Sequence, residues 1–285
     1  MRRLRRVLFV GMPVLWVAVM HLGPLVGMVR ISVLDVYPAA PGALPIYGLG
    51  AWSAFLHGPG TMASLGRSLW LAALATAISF ALAWPLAWHV AVRVPAEKRL
   101  RRLALLVAPF WTGEVLRMFA LVLLLSNRGA LNGALRWSGL TDAPIPMLYG
   151  TCSVLMGMVY TILLSMLLPL FAALDRIPPD LLEAATDLGA GPWRRQIFVV
   201  LPLAADGIAS GAALTFLLAL GVLAAPALLG GAGTPVFASV IGGAFAGASG
   251  RWPVGAAFGL LLLVAGTACA GALAFAIRRT GRVSL

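Results

Sequence analysis

Long apolar runs separated by short polar stretches dominate the chain. Six of them reach the roughly 20 residues a helix needs to cross about 30 Å of hydrocarbon: Val7 to Val29, Leu69 to Val92, Leu103 to Leu125, Tyr149 to Leu174, Leu203 to Leu229 and Pro253 to Ile277. Each run is continuously apolar and does not alternate every second residue, which predicts helices and excludes a barrel. The expected fold is an all-α integral membrane protein of six transmembrane helices, forming a single domain over residues 1 to 285. Pro85, Pro109, Pro169 and Pro226 fall inside these runs and predict bends or interruptions. Gly207 with Gly211, and Gly255 with Gly259, have the four-residue spacing of close helix contacts.

Composition agrees. Of 285 residues 61% are hydrophobic and 11% charged, and the mean hydropathy is +0.97; a water-soluble domain has about twice that charge. The net charge of +12 leaves too few charges for a nucleic-acid surface and is explained by topology. With the N-terminus inside, fifteen of the 21 Lys and Arg residues lie on the inner side, and only Arg30, Arg67, Arg128, Arg136 and Arg251 lie outside. The positive-inside rule then predicts both termini in the cytoplasm. The basic start, Arg2, Arg3, Arg5 and Arg6, precedes a run too long for a signal peptide, so it reads as a retained span. Cys152 and Cys269 lie in apolar runs and read as small core residues. His21, His57 and His89 lack metal-ligand spacing, and no metal site is predicted.

Chemistry is sparse inside the spans. Trp111, Glu114 and Arg117 sit in the third run, with the two charges at i and i+3 on one helical face. A charge in hydrocarbon costs about 2.5–3.5 kcal/mol, so such residues either line a polar path or neutralise each other. Asp206, just inside the fifth run, reads as solvated at the interface. Gly247-Ala248-Ser249-Gly250 spells a serine-protease-like G-x-S-G, but no histidine follows position 89 to activate the serine. A secondary transporter would need internal repeats, and none is apparent.

The longest inner polar stretch, residues 175 to 202, predicts two short helices. Pro178 and Pro179 suit a helix start, Asp180 and Glu183 complement its positive end, and Gly189 supplies a left-handed stop. Gly191-Pro192 opens a second helix through Trp193, Arg194, Arg195 and Ile197. Leu181, Ala185 and Leu188 fall on one face with Ala184 alongside, and helices this short need a partner for that face. Either a soluble protein or the lipid interface would serve.

Glu183-Ala184-Ala185, then Gly189, Ile197 and Leu201-Pro202, resembles the EAA loop of permease subunits of ATP-binding-cassette importers. Pro109-Phe110-Trp111-Thr112, Arg117, Gly129, Leu131-Asn132, Leu135, Val159-Tyr160, Leu168-Pro169-Leu170, Leu228-Leu229-Gly230-Gly231 and Trp252-Pro253-Val254-Gly255-Ala256-Ala257 are similar to the spermidine/putrescine type, specifically the first of its two permeases. Asp206-Gly207 departs from the Pro-Gly usual there.

The resemblance implies the type I importer permease fold, with Glu183, Ala184, Ala185, Leu188 and Gly189 coupling to an ATPase dimer. It further implies a second, paralogous permease, an external substrate-binding protein, and ATP with Mg held by the ATPase. No G-x-x-x-x-G-K-[ST] occurs in this chain, so it is expected to be no enzyme and to carry no cofactor. Trp111, Glu114, Arg117 and Tyr160 are the expected solute-path residues. The cargo implied is a polyamine, with ferric iron, an opine or another small solute as the family's alternatives.

Overall fold

The structure is a computed structural model, and it describes residues 11–37, 44–231, 235–246 and 251–283. The basic start and the Gly247–Gly250 stretch lie outside the described residues. Among those described the regular elements are helices, with two isolated bridges, Leu34 to Tyr47 and Tyr37 to Arg251. In chain order they are α1 (Gly11–Ser32), α2 (Gly50–His57), α3 (Thr61–Arg93), α4 (Ala96–Val107), α5 (Glu114–Leu125), α6 (Ala130–Trp137) and α7 (Thr151–Leu174). There follow α8 (Pro179–Asp187), α9 (Pro192–Leu203), α10 (Ala205–Gly221), α11 (Ala224–Leu229), α12 (Phe237–Ala246) and α13 (Trp252–Val283).

Five helical stretches, including Glu114–Trp137, are long and apolar enough to span a membrane, and α9 with α10, bent by 72°, make a sixth. Five of the expected spans correspond closely, although the fifth stops at Gly221 and resumes as α11. The third is corrected. Leu103 to Val107 belong to α4, an amphipathic helix with Arg99, Arg101 and Arg102 along it. A 3-10 turn at Ala108–Trp111 and an extended Thr112 then precede α5. Pro109 begins that break because it cannot donate to a helical ladder. Pro85 and Pro169 instead stay within continuous helices. A π-turn at Gln196–Val200 immediately precedes Pro202, the type of local widening that absorbs a missing N–H.

The chain divides into two compact units, one of residues up to Leu65 with Phe237–Val264 and one of Gly66–Val236 with Ala265–Leu285. The first centres on Ala51, Phe237, Ala257 and Phe258. Phe237 and Phe258 stack at 5.3 Å, with Phe55 edge-on to both. Gly259 receives Met28 of α1, and Gly255 meets the Phe245 ring. None of α1's apolar window is buried.

In the second unit Ala83, Ala87 and Ala91 recur every four residues along α3 and pack with Met166, Leu167, Leu170 and Leu174 of α7 and Ile208 and Ala212 of α10. Gly207 and Gly211 let α10 approach Ala173, Pro169 and Met166, which is the close contact their spacing predicts. Ser153 Oγ and the Tyr149 N–H both donate to the Leu229 carbonyl, tying the end of α11 to the start of α7. Asn132, fully buried, donates to the Ser126 and Ile145 carbonyls and accepts from the Ile145 N–H. These bonds satisfy backbone groups that a broken helix leaves open. Cys152 and Cys269 are exposed and not core, because in a membrane chain apolar surroundings include the lipid-facing surface.

Gly157 offers a test of this packing. A Cβ there would lie 2.5 Å from Leu229 Cδ1 and 2.9 Å from Ala225 Cβ. Gly157→Leu is expected to destabilise the solubilised protein by about 1–3 kcal/mol, read as a lowered melting temperature. Gly271→Leu, where nothing stands within 4 Å, is expected to leave it nearly unchanged.

Candidate functional site

The stretch between α7 and α10 folds as the sequence predicts, into α8 and a second helical piece. Pro179 occupies the first helical position of α8 and Asp180 its first turn. At the far end Gly189 adopts φ +79°. The Gly189 N–H donates to the Thr186 carbonyl and the Ala190 N–H to the Ala185 carbonyl, the two closing bonds of a Schellman stop. Nothing lies within 4 Å of where a Gly189 Cβ would stand. The constraint is therefore backbone conformation, not space.

One face of α8 is anchored. Leu182 is 8% exposed and packs in the core cluster with Leu174, Ile177 and Val200. Thr186 Oγ1 donates to the Leu182 carbonyl and accepts from Arg195 Nη1 at 3.2 Å, which fastens α9 to α8. Nearby, Arg99 of α4 meets Asp175 at 2.6 Å. The rest of the helix is bare: Leu181, Glu183 and Ala184 are exposed, Ala185 is half-buried, and Leu188 is 89% exposed. Trp193, 79% exposed at the start of α9, extends this surface. Its signal was a large aromatic between Pro192 and two arginines, but spacing alone gave it no role.

The expected path residues are arranged differently from the i, i+3 reading. Trp111 lies on the 3-10 turn, 86% exposed, and Glu114 is the first residue of α5, near the positive end of that helix. Arg117 forms no ion pair with Glu114, whereas Arg99 pairs with Asp175 and Arg278 with Asp206. Instead the Arg117 guanidinium carbon lies 5.8 Å from the Phe110 ring centre and 5.2 Å from that of Tyr160. The two rings are 5.6 Å apart, and Nη1 donates to the Tyr160 carbonyl at 3.4 Å. Ring faces carry negative quadrupolar potential, so this clasp stabilises the cation without a carboxylate. Glu114 is thus left without Arg117 as an ion-pair partner. Asp206, read as merely solvated, reaches Arg278 at 3.2 Å.

A model of the binding-protein-dependent transport system inner membrane component family matches residues 103–281. The spermidine/putrescine transport system permease protein PotB of Salmonella typhimurium is 36% identical over 172 residues, covering 60% of each chain. PotB of Haemophilus influenzae is 40% identical over 165 residues, 57% of each. The chain thus aligns with about 60% of the length of the curated relatives it matches. Among solved structures, a bacterial ABC transporter that imports the acidic polysaccharide alginate superposes with TM-score 0.70 at 18% identity, over 99% of this chain and 97% of that one. The same transporter in complex with an alginate pentasaccharide-bound periplasmic protein gives 0.69. At that identity the likeness is one of fold.

Gly189→Val is expected to cost about 1–2 kcal/mol locally, because a β-branched residue is strained at positive φ. Faster amide hydrogen exchange confined to residues 185–190 would report it. Gly189→Asn, which tolerates the left-handed region, is expected to restore most of the protection.

Proposed function

The chain belongs to the family of binding-protein-dependent transport inner-membrane components, is a multi-pass membrane protein with the type I importer permease fold, and from that premise we propose that it is a polyamine permease driven by a separate ATPase. The observation that carries this is α8: a short helix anchored through Leu182, closed by Gly189, and baring Leu181, Leu188 and neighbouring Trp193. A bare apolar face on a helix bolted to the core is suited to seat in a protein cleft and to pass on force.

In this scheme ATP, with Mg, is bound and hydrolysed by a dimer of ATPase subunits, since the sequence offers no phosphate-cradling loop and Lys98 is its sole lysine. Closure of that dimer pushes on α8. Leu182 carries the push to α7, and the 72° bend at Ala204 turns it into α10. A second permease, a paralogue of this chain, completes the path, and an external binding protein delivers the solute. Both termini face the cytoplasm, as the charge bias requires. Relatives named as spermidine/putrescine permeases support the cargo.

A polyamine offers ammonium groups to carboxylates and ring faces. Glu114 and the exposed Trp111 meet that need. Tyr160 and Arg117 hold each other, which masks the one cation of this region. The roles of the four expected path residues therefore divide into two that greet the solute and two that shape the break.

Membrane vesicles holding the complete importer test the proposal. ATP-dependent uptake of labelled spermidine is expected, with Trp193→Ala and Leu181→Glu weakening ATPase co-purification and uptake together. Glu114→Gln is expected to raise the KM for spermidine about tenfold, the scale of one charged hydrogen bond, while the ATPase stays bound. Uptake unaffected by Leu181→Glu would overturn the coupling role, and unchanged KM would remove Glu114.

A further inference from the structure

Between α3, α10 and α13 the second unit holds two apolar cavities that share three wall residues. The first, of about 480 Å³, is lined by residues including Ala73, Ala77, Ala212 and Cys269; the second, of about 250 Å³, by residues including Ile197, Pro202 and Gly281. Phe80, Ile208 and Ile277 line both. The cleft therefore follows α13 from Cys269, near the middle of that span, to Gly281 at its end. The twelve rises between these thirteen residues advance about 18 Å, against about 15 Å for the hydrocarbon of one leaflet.

The far end of the cleft is cationic. Arg194 lies one turn before Ile197 on α9 and is exposed, as is Arg279 beside Thr280 on α13. The nearby acid, Asp206, is already engaged by Arg278. An apolar slot one leaflet deep, with arginines at its mouth, has the dimensions and the charge of one molecular class. We propose that the cleft is a binding site for an anionic phospholipid of the leaflet on the α8 side. One acyl chain lies along Ala73, Ala77 and Ala212, and the phosphate is held near Arg194 and Arg279. None of Trp111, Glu114, Arg117 and Tyr160 lines the cleft, and the proposal does not rest on the cargo.

Native mass spectrometry tests this on the protein purified with its native partners in mild detergent, titrated with phosphatidylglycerol or phosphatidylcholine of equal chain length. Wild-type protein is expected to retain phosphatidylglycerol at least about fivefold better, the scale of one arginine near an anionic headgroup. Ala77→Phe and, independently, Ala73→Phe fill the slot from exposed positions and are expected to abolish retention of both lipids with the melting temperature unchanged. The Arg194→Gln/Arg279→Gln pair is expected to remove the preference and leave phosphatidylcholine retention as it was. Equal retention of the two lipids by wild type, or undiminished retention by both phenylalanine variants, would overturn the proposal. So would oxidative cross-linking of Cys269 to a second polypeptide, which would make protein the occupant.

Discussion

Leu182 is the side chain on which the α8 end of the second unit depends. It is the buried residue of α8, and it enters the same cluster as Leu174 and Ile177 before the helix and Val200 and Ala204 after it. Without that insertion α8 would be nine residues of marginal helix on two loops, too short to persist in water. With it, a force on the exposed face reaches two spans through close-packed side chains that cannot yield separately. Thr186 and Arg195 reinforce the joint from the adjoining turn. A lever needs both a grip and a pivot, and in the proposed coupling role these would be opposite faces of one helix.

The second constraint is the satisfaction of backbone polar groups where spans break. The breaks at Ala108 to Gly113 and at Val222 to Leu223 place unladdered peptide groups among apolar elements. Such irregularity is tolerated where protein covers it. The covering is specific at α11, whose final carbonyl accepts from Ser153 and Tyr149, and whose Ala225 and Leu229 sit against Gly157. A small residue at Gly157 is the condition for the half-helix to dock. Broken spans and small residues are thus two aspects of one packing requirement.

Much of this was legible in the sequence. The apolar runs located the spans, and in the polar stretch Pro179 and Gly189 marked both ends of α8, because helix-start and left-handed-stop chemistry is local. What was not legible depends on partners distant in sequence. Apolar residues continue from Leu103 across the break to Leu125, so hydropathy hid both the amphipathic α4 and the turn at Pro109. The i, i+3 spacing suggested that Arg117 pairs with Glu114, yet its partners are Phe110, before the helix begins, and Tyr160 on α7. Cys152 and Cys269 misled for another reason: in lipid, apolar neighbours in sequence say nothing about burial.

The aromatic clasp bears on how a basic protein could pass the polyamine proposed above. An arginine near a polyamine path repels it, and by Coulomb's law the repulsion at 4 Å is about 4 kcal/mol at an effective dielectric of 20. Pairing with Glu114 would cancel Arg117 but would also consume the carboxylate. Ring faces offer another arrangement, since they attract the guanidinium without any formal charge of their own. Held at 5.2 and 5.8 Å from two ring centres and bonded to the Tyr160 carbonyl, Arg117 gains stabilisation without taking the Glu114 carboxylate as its partner. The net charge of the pair is unchanged, but it becomes a separated dipole, with its negative end at the break beside Trp111. On the proposed polyamine path, selectivity for a cation would follow from where the two charges point, not from their sum.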